Sequence, residues 1–191
     1  MGITIHFKGK IKSPDLLPQL IEEAKDIAVA NNWKHHIFEK ELPKESYGKV
    51  DFNDTLYGIS FTPPKCEPVS FTFLSNGILC SVVGIKMYFE YEQDETFISW
   101  NSFKTQYAGP EIHKILILII DYFSKKYLID VEVIDEADFW DTRDETILNQ
   151  KFEFLGGLIN SFGSQLEFVP QRDGESFEEY LKRIAGNIKK G

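Results

Sequence analysis

The chain has 191 residues, of which 42% are hydrophobic and 27% charged. This composition is typical of a folded globular protein and excludes disordered, collagen-like and repeat chains. Its 30 acidic and 21 basic residues give a net charge of -9, which argues against nucleic acid or an anionic membrane as the main partner, because both require a basic surface.

The beginning of the chain shows no secretory pattern, since Ile3, Ile5 and Phe7 alternate with polar residues where a signal peptide would be continuously apolar. The longest apolar run, from Ile115 to Ile120, is far shorter than the roughly 20 residues of a membrane span. We therefore expect a cytoplasmic protein that does not act at a membrane.

The N-terminal alternation predicts a strand with one buried face. Ser13-Pro14-Asp15 then gives an N-cap, a proline in the first turn and an acid near the positive end of the helix dipole. We predict that the helix begun there continues to about Asn31, because apolar residues recur along one of its faces up to Ala28.

The segment from Leu56 to Tyr107 has the alternation of an antiparallel sheet. Asn76-Gly77 predicts a tight hairpin turn, after which residues 78–91 and 97–107 are predicted to form further strands. In this arrangement Gly84 would mark a bend in a strand. Cys66 and Cys80 would lie too far apart for a disulfide, so we expect free thiols.

Pro110 opens a helix that is apolar on nearly every side, which predicts that it is covered on more than one face. A short strand is predicted over 131–134, followed by two helices that begin at the capping boxes Thr142–Glu145 and Ser176–Glu179. Gly156-Gly157 lies within the first of these helices, where close packing or a kink would offset the low helix propensity of glycine.

These elements predict a single α+β domain spanning residues 1–191. We expect an antiparallel-dominated sheet of about six strands, with the long apolar helix buried between this sheet and the C-terminal helices. The sequence contains neither a glycine-rich phosphate loop nor a dinucleotide-binding fingerprint, so no nucleotide cofactor is expected.

The densest polar segment, residues 135–145, carries six carboxylates and one arginine. Three interpretations remain open: a site for a hard cation, a surface for a basic partner, or acids gathered at the positive end of a helix. A partner surface would also expose Phe139 and Trp140. The candidate metal ligands are Asp135, Glu136, Asp138 and Asp141.

His113 lies in the first turn of the apolar helix, close in sequence to the end of a predicted strand. It is a candidate general base or metal ligand, although a half-buried structural histidine fits equally well. The weak candidates for a catalytic site are His113, Lys104, Gln106, Asp135 and Glu136. Such a site requires His113 to lie beside an acid in a concave pocket.

Three stretches carry a resemblance to known proteins: Gly58 to Pro64, Lys104 to Gly109 with Glu111 and His113, and Asp135-Glu136 leading to Trp140. Together they resemble a family of uncharacterised bacterial cytoplasmic proteins of similar length. This resemblance implies a bacterial source, and it carries neither an activity nor a cofactor.

The leading hypothesis is a non-catalytic binding or regulatory module whose acidic region, 135–145, contacts a basic protein partner. The alternative is a hydrolase or a small-molecule or metal-binding protein with a site around His113. A homodimer formed through the outer face of the sheet is a third hypothesis. The sequence favours a protein that is not an enzyme.

Overall fold

The computed structural model describes residues 2–91, 93–172 and 174–188. The strands of this part are β1 (Thr4–Ile11), β2 (Lys34–Ile37), β3 (Tyr57–Thr62), β4 (Val69–Phe73), β5 (Asn101–Lys104) and β6 (Leu128–Asp135). Its helices are α1 (Leu17–Ala30), α2 (Val82–Glu90), α3 (Thr96–Ser99), α4 (Pro110–Tyr127), α5 (Phe139–Thr142), α6 (Glu145–Phe168) and α7 (Phe177–Ile188).

The α+β class is confirmed, but the prediction of one six-stranded sheet is wrong. The strands form two antiparallel sheets of three, in the orders β5-β1-β6 and β2-β3-β4. Isolated bridges from Lys10 to Ile78 and from Phe73 to Leu79 connect the two sheets. The main core draws side chains from both sheets and from α1, α4, α5 and α6.

The predicted single sheet does not form, because residues 82–90 are a helix rather than a strand. The hydroxyl of Ser81 accepts a hydrogen bond from the Gly84 amide at 2.9 Å, which caps the start of α2. Gly84 allows close packing against α3 and does not bend a strand. A Cβ at Gly84 would lie 2.4 Å from the carbonyl oxygen of Phe97.

The turn that precedes this helix differs from the predicted two-residue hairpin. The Leu74 amide donates to the Ile78 carbonyl at 2.8 Å, so three residues, 75–77, form the loop. Gly77 adopts a φ of 91° there, which favours glycine. Both cysteines are free, as predicted.

Helix α4 is covered on one face only, which corrects the prediction that it is buried on several sides. Leu118 and Tyr122 are about half exposed, whereas Leu116, Ile120 and Phe123 lie in the core. The sheets and α6 cover the inner face of α4, but the main contact of α7 is with α6, so the outer face of α4 remains open to solvent.

The starts of α6 and α7 follow the predicted capping boxes only in part. Asp144, not Thr142, caps α6, because its carboxylate accepts the Thr146 amide at 2.7 Å. The second box is confirmed: Ser176 and Glu179 exchange backbone-to-side-chain hydrogen bonds of 2.9 and 3.3 Å. The close packing predicted for Gly156-Gly157 is wrong, since no atom lies within 4 Å of a Cβ built at either glycine.

Replacing Gly84 by alanine is expected to lower the free energy of unfolding by about 1–3 kcal/mol, because the added methyl group overlaps the Phe97 carbonyl. Urea unfolding followed by tryptophan fluorescence measures this loss. Gly163→Ala is the matched control, because a Cβ at Gly163 meets no atom within 4 Å. The control should leave the unfolding free energy unchanged or raise it, and an equal loss in both variants would contradict this interpretation.

Candidate functional site

His113 lies in the first turn of α4 with its side chain wholly buried, at 0% exposure. The helix begins after Gly109, whose φ of 88° lets the chain turn sharply out of the preceding loop. The imidazole also packs edge-on against the ring of Phe152 from α6, with ring centroids 5.5 Å apart. The interior of the protein therefore encloses this side chain on every side.

Two polar side chains contact the imidazole. Nδ1 lies 2.7 Å from the hydroxyl of Thr105, which follows β5. Nε2 lies 3.0 Å from Oδ1 of Asp135 at the end of β6. Nε2 has no hydrogen-bond partner among the described residues, so this second contact is an electrostatic one. We refer to Thr105, His113 and Asp135 as the buried network.

Thr105 accommodates either tautomer of the imidazole. When Nδ1 carries a proton, it can donate to the Thr105 hydroxyl, whose own proton then points to the Ile3 carbonyl at 3.3 Å. When Nδ1 is unprotonated, the hydroxyl donates to it instead. The hydroxyl therefore satisfies Nδ1 without any movement of the backbone.

Asp135 is held by two backbone amides as well as by His113. Its carboxylate oxygens accept from Ala137 at 2.8 Å and from Trp140 at 2.9 Å. Burial raises the pKa of this carboxyl, but the His113 contact and the two amides outweigh that effect and leave its pKa below the ordinary value. The carboxylate is therefore ionised at neutral pH and fixes the start of α5.

The structure brings together two of the five predicted catalytic candidates, His113 and Asp135. The side chain of Lys104 is exposed, and its amide donates to Glu67 at 2.8 Å. Gln106 has a buried oxygen without a hydrogen-bond partner, and Glu136 accepts from the Thr4 amide at 2.7 Å.

Sequence reasoning missed Thr105, which is fully buried. The sequence pointed to Thr105 only through its position between the candidates Lys104 and Gln106. Two surface depressions, of about 560 and 610 Å³, contain none of the five candidates or Thr105. The concave pocket that the enzyme hypothesis requires at His113 is therefore not formed by either depression.

Most acids of the 135–145 segment have local partners. Asp138 pairs with Lys151 at 2.7 Å, Glu145 with Lys114 at 3.2 Å, and Asp144 caps α6. Within the described ranges, no three His, Cys, Asp or Glu side chains are grouped as a metal site, so Asp135, Glu136, Asp138 and Asp141 do not form one ligand set there. Phe139 is buried, contrary to the expectation that it is exposed.

The cysteines are poor nucleophiles. Burial raises the pKa of Cys66 and of Cys80 to about 12, and the charge of Glu67 adds to the effect at Cys66. Both thiols are therefore protonated at neutral pH, whereas the thiolate is the form that attacks a substrate.

A different surface presents large apolar side chains to solvent. Val82 and Phe89 lie two turns apart on the same side of α2, and Val83 lies about 100° further around the helix from Val82. Val83 and Phe89 are 70% and 46% exposed. The adjoining buried face, with Ile85 and Tyr88, packs on a small second core. We call the exposed side chains Val82, Val83, Phe89 and Tyr91 the α2 patch.

Acidic side chains border this patch. Glu90 lies on the same face of α2 and pairs with Lys86 at 3.7 Å, and the exposed Asp94 and Glu95 follow in the turn before α3. The Thr96 amide donates to Asp94 at 2.9 Å and lowers the pKa of that carboxyl, so Asp94 carries a charge at neutral pH. The α2 patch thus combines apolar side chains with the Lys86–Glu90 ion pair between them, and it is negative at the edge towards α3.

Comparisons of the chain with protein-family models, curated proteins and solved structures found no match. None of the helices in the described ranges combines the length and apolar character needed to cross a bilayer.

Replacing Asp135 by asparagine should lower the free energy of unfolding at pH 7 by about 3 kcal/mol, because the amide removes the charge beside His113 and leaves one backbone donor without an acceptor. The native pKa of this carboxyl is lowered, so its stabilisation is present above the unfolded value of about 3.9 and is lost as pH falls through the native value. Urea unfolding across this range should show the two proteins converging in acid.

Asp141→Asn is the control for that measurement. Asp141 is exposed, and its side chain has no partner assigned in the described residues, so its substitution should change the unfolding free energy by less than about 0.5 kcal/mol. A difference between wild type and Asp135→Asn that is small, or that grows toward low pH, would contradict the assigned role of Asp135.

Proposed function

We propose that the protein is a non-catalytic binding module and that a protein partner docks on the α2 patch. The observation that carries the proposal is the exposure of three large apolar side chains, Val82, Val83 and Phe89, on one short helix. Exposed apolar side chains grouped among polar ones mark interaction surfaces in soluble proteins.

The charges around the patch favour a partner segment that is both apolar and basic. The exposed Asp94 and Glu95 border the patch, whereas Glu90 and Lys86 are paired with each other and offset each other's charge. The net charge of -9 adds a long-range attraction for a basic segment. An amphipathic helix that carries Lys or Arg beside its apolar stripe meets both requirements.

We place the partner surface at α2 rather than at 135–145, the segment expected from the sequence. The charges of Asp138 and Glu145 are paired within the protein, and Asp135 is buried. Paired carboxylates attract a basic partner less strongly than free ones. The acids of this segment thus serve mainly the fold.

The alternative of a hydrolase or a small-molecule or metal-binding protein remains a hypothesis with less support. His113 and Asp135 are adjacent, as such a site requires, but both side chains have 0% exposure. A substrate would reach them only after α5 or α6 had moved away from α4. The homodimer hypothesis likewise remains a prediction, which sizing chromatography tests.

A fluorescently labelled synthetic peptide tests the proposed chemistry. The peptide carries leucines at helical spacing and lysines on its other face, and its binding is followed by fluorescence anisotropy. We expect binding to the wild type, weakening as salt increases, and a loss of about tenfold or more in Val83→Ser/Phe89→Ser. A matched peptide with glutamates in place of the lysines should bind less well.

Leu118→Ser is the control, because Leu118 is an equally exposed apolar residue on α4, outside the α2 patch. This variant should bind the lysine peptide as the wild type does. Absence of binding to the wild type, or equal losses in the α2 and α4 variants, would overturn the assignment of the patch.

A further inference from the structure

Helix α6 is divided into a docked half and a projecting half, and the division falls at Gly156. Up to Leu155 the helix contributes to the core: Leu148 is buried, and Phe152 packs on the His113 ring. Ion pairs from Lys151 to Asp138 and from Glu145 to Lys114 fix the same half to α5 and α4. The first eleven residues of α6 are therefore part of the main body.

Beyond Leu155, no described side chain of α6 belongs to the main core. Ile159 is 39% exposed, and the principal contact of α7 is with α6. We call the part of α6 after Gly157, together with α7, the arm. None of the arm's described side chains belongs to the main core.

The arm has interactions of its own: its two helices contact each other, and a set of polar contacts holds α7 to the loop that joins it to α6. Arg183 donates to both carboxylate oxygens of Glu175, at 2.7 and 2.8 Å, and to the carbonyl of Pro170 at 3.1 Å. This contact with Arg183 lowers the pKa of Glu175 to about 2. Tyr180 is buried, and the guanidinium of Arg183 lies over its ring. These contacts make the arm a unit that can move as one piece.

Gly156 and Gly157 lie where the docked half of α6 joins the arm, and neither packing nor backbone conformation requires glycine there. Apart from the helix's own neighbouring residues, no atom of the described part of the chain lies within 4 Å of a Cβ built at either position, and neither residue has a left-handed φ. Glycine in the interior of a helix is destabilising relative to alanine, because it retains more backbone freedom when unfolded. Two adjacent glycines therefore weaken α6 at the place where its support by the core ends.

We propose that Gly156-Gly157 is a hinge about which the arm pivots relative to the main body. The low helix propensity of the pair lets the backbone change direction there while the docked half keeps its contacts with His113 and Asp138. The part of α6 beyond the hinge is about 16 Å long at 1.5 Å per residue, so a modest change of angle moves α7 by several ångströms. This inference is independent of the function proposed for the α2 patch.

Distance measurements between two spin labels test the hinge. One label is attached at Asp141→Cys on the main body and the other at Glu178→Cys on α7, two positions with exposed side chains. The native thiols, with pKa values raised to about 12, should label slowly, and the protein without added cysteines measures their residual reaction. We expect a broad or multi-component distance distribution in the wild-type background.

Gly156→Ala/Gly157→Ala should narrow the distribution to a single peak, and amide exchange around the junction should slow. Gly163→Ala, a matched substitution within the arm, should leave the distribution as broad as in the wild type. A single narrow peak in the wild type that the double substitution does not change would overturn the hinge. So would equal narrowing by Gly163→Ala.

Discussion

Asp135 occupies the point where β6 ends and α5 begins, and its ionised carboxylate interacts with three groups from different parts of the fold. It accepts the amides of Ala137 and Trp140, and it lies against His113 at the start of α4. A buried charge is tolerated only when such contacts replace its hydration. At Asp135 strand β6 pairs with β1. His113, which contacts Asp135, lies at the start of α4 and packs against Phe152 of α6.

This arrangement separates the enclosed polar groups from the proposed recognition surface. The adjacent catalytic candidates His113 and Asp135 are enclosed within the buried network. Helix α2 instead offers both apolar and charged side chains to solvent, with the carboxylates of Asp94 and Glu95 beside them. On the function proposed above, the protein acts through what binds to this surface.

The sequence was informative where a residue's role depends on its chain neighbours, as at the second capping box, Ser176–Glu179. It also named His113 and Asp135 as candidates for one site, and the two side chains are adjacent, although β1 lies between the strands that were required to be neighbours. The prediction was wrong at α2. Ile85, Met87, Phe89 and Tyr91 alternate as in a strand, but the spacing of Val82, Ile85 and Phe89 also fits the helix that forms there. It could not reveal the partners Lys151 and Lys114 of the acidic segment, since these contacts depend on how α6 and α4 pack. Thr105 escaped notice for the same reason.

The central claim is that His113 is an enclosed structural residue. Chemical modification by diethylpyrocarbonate, followed residue by residue by mass spectrometry, tests it most directly, because the four histidines of the chain serve as internal references. His35 and His36 are exposed and His6 is partly exposed, so all three should react in the folded protein, whereas His113 should react only after denaturation. Modification of native His113 at a rate like that of His35 would contradict the account.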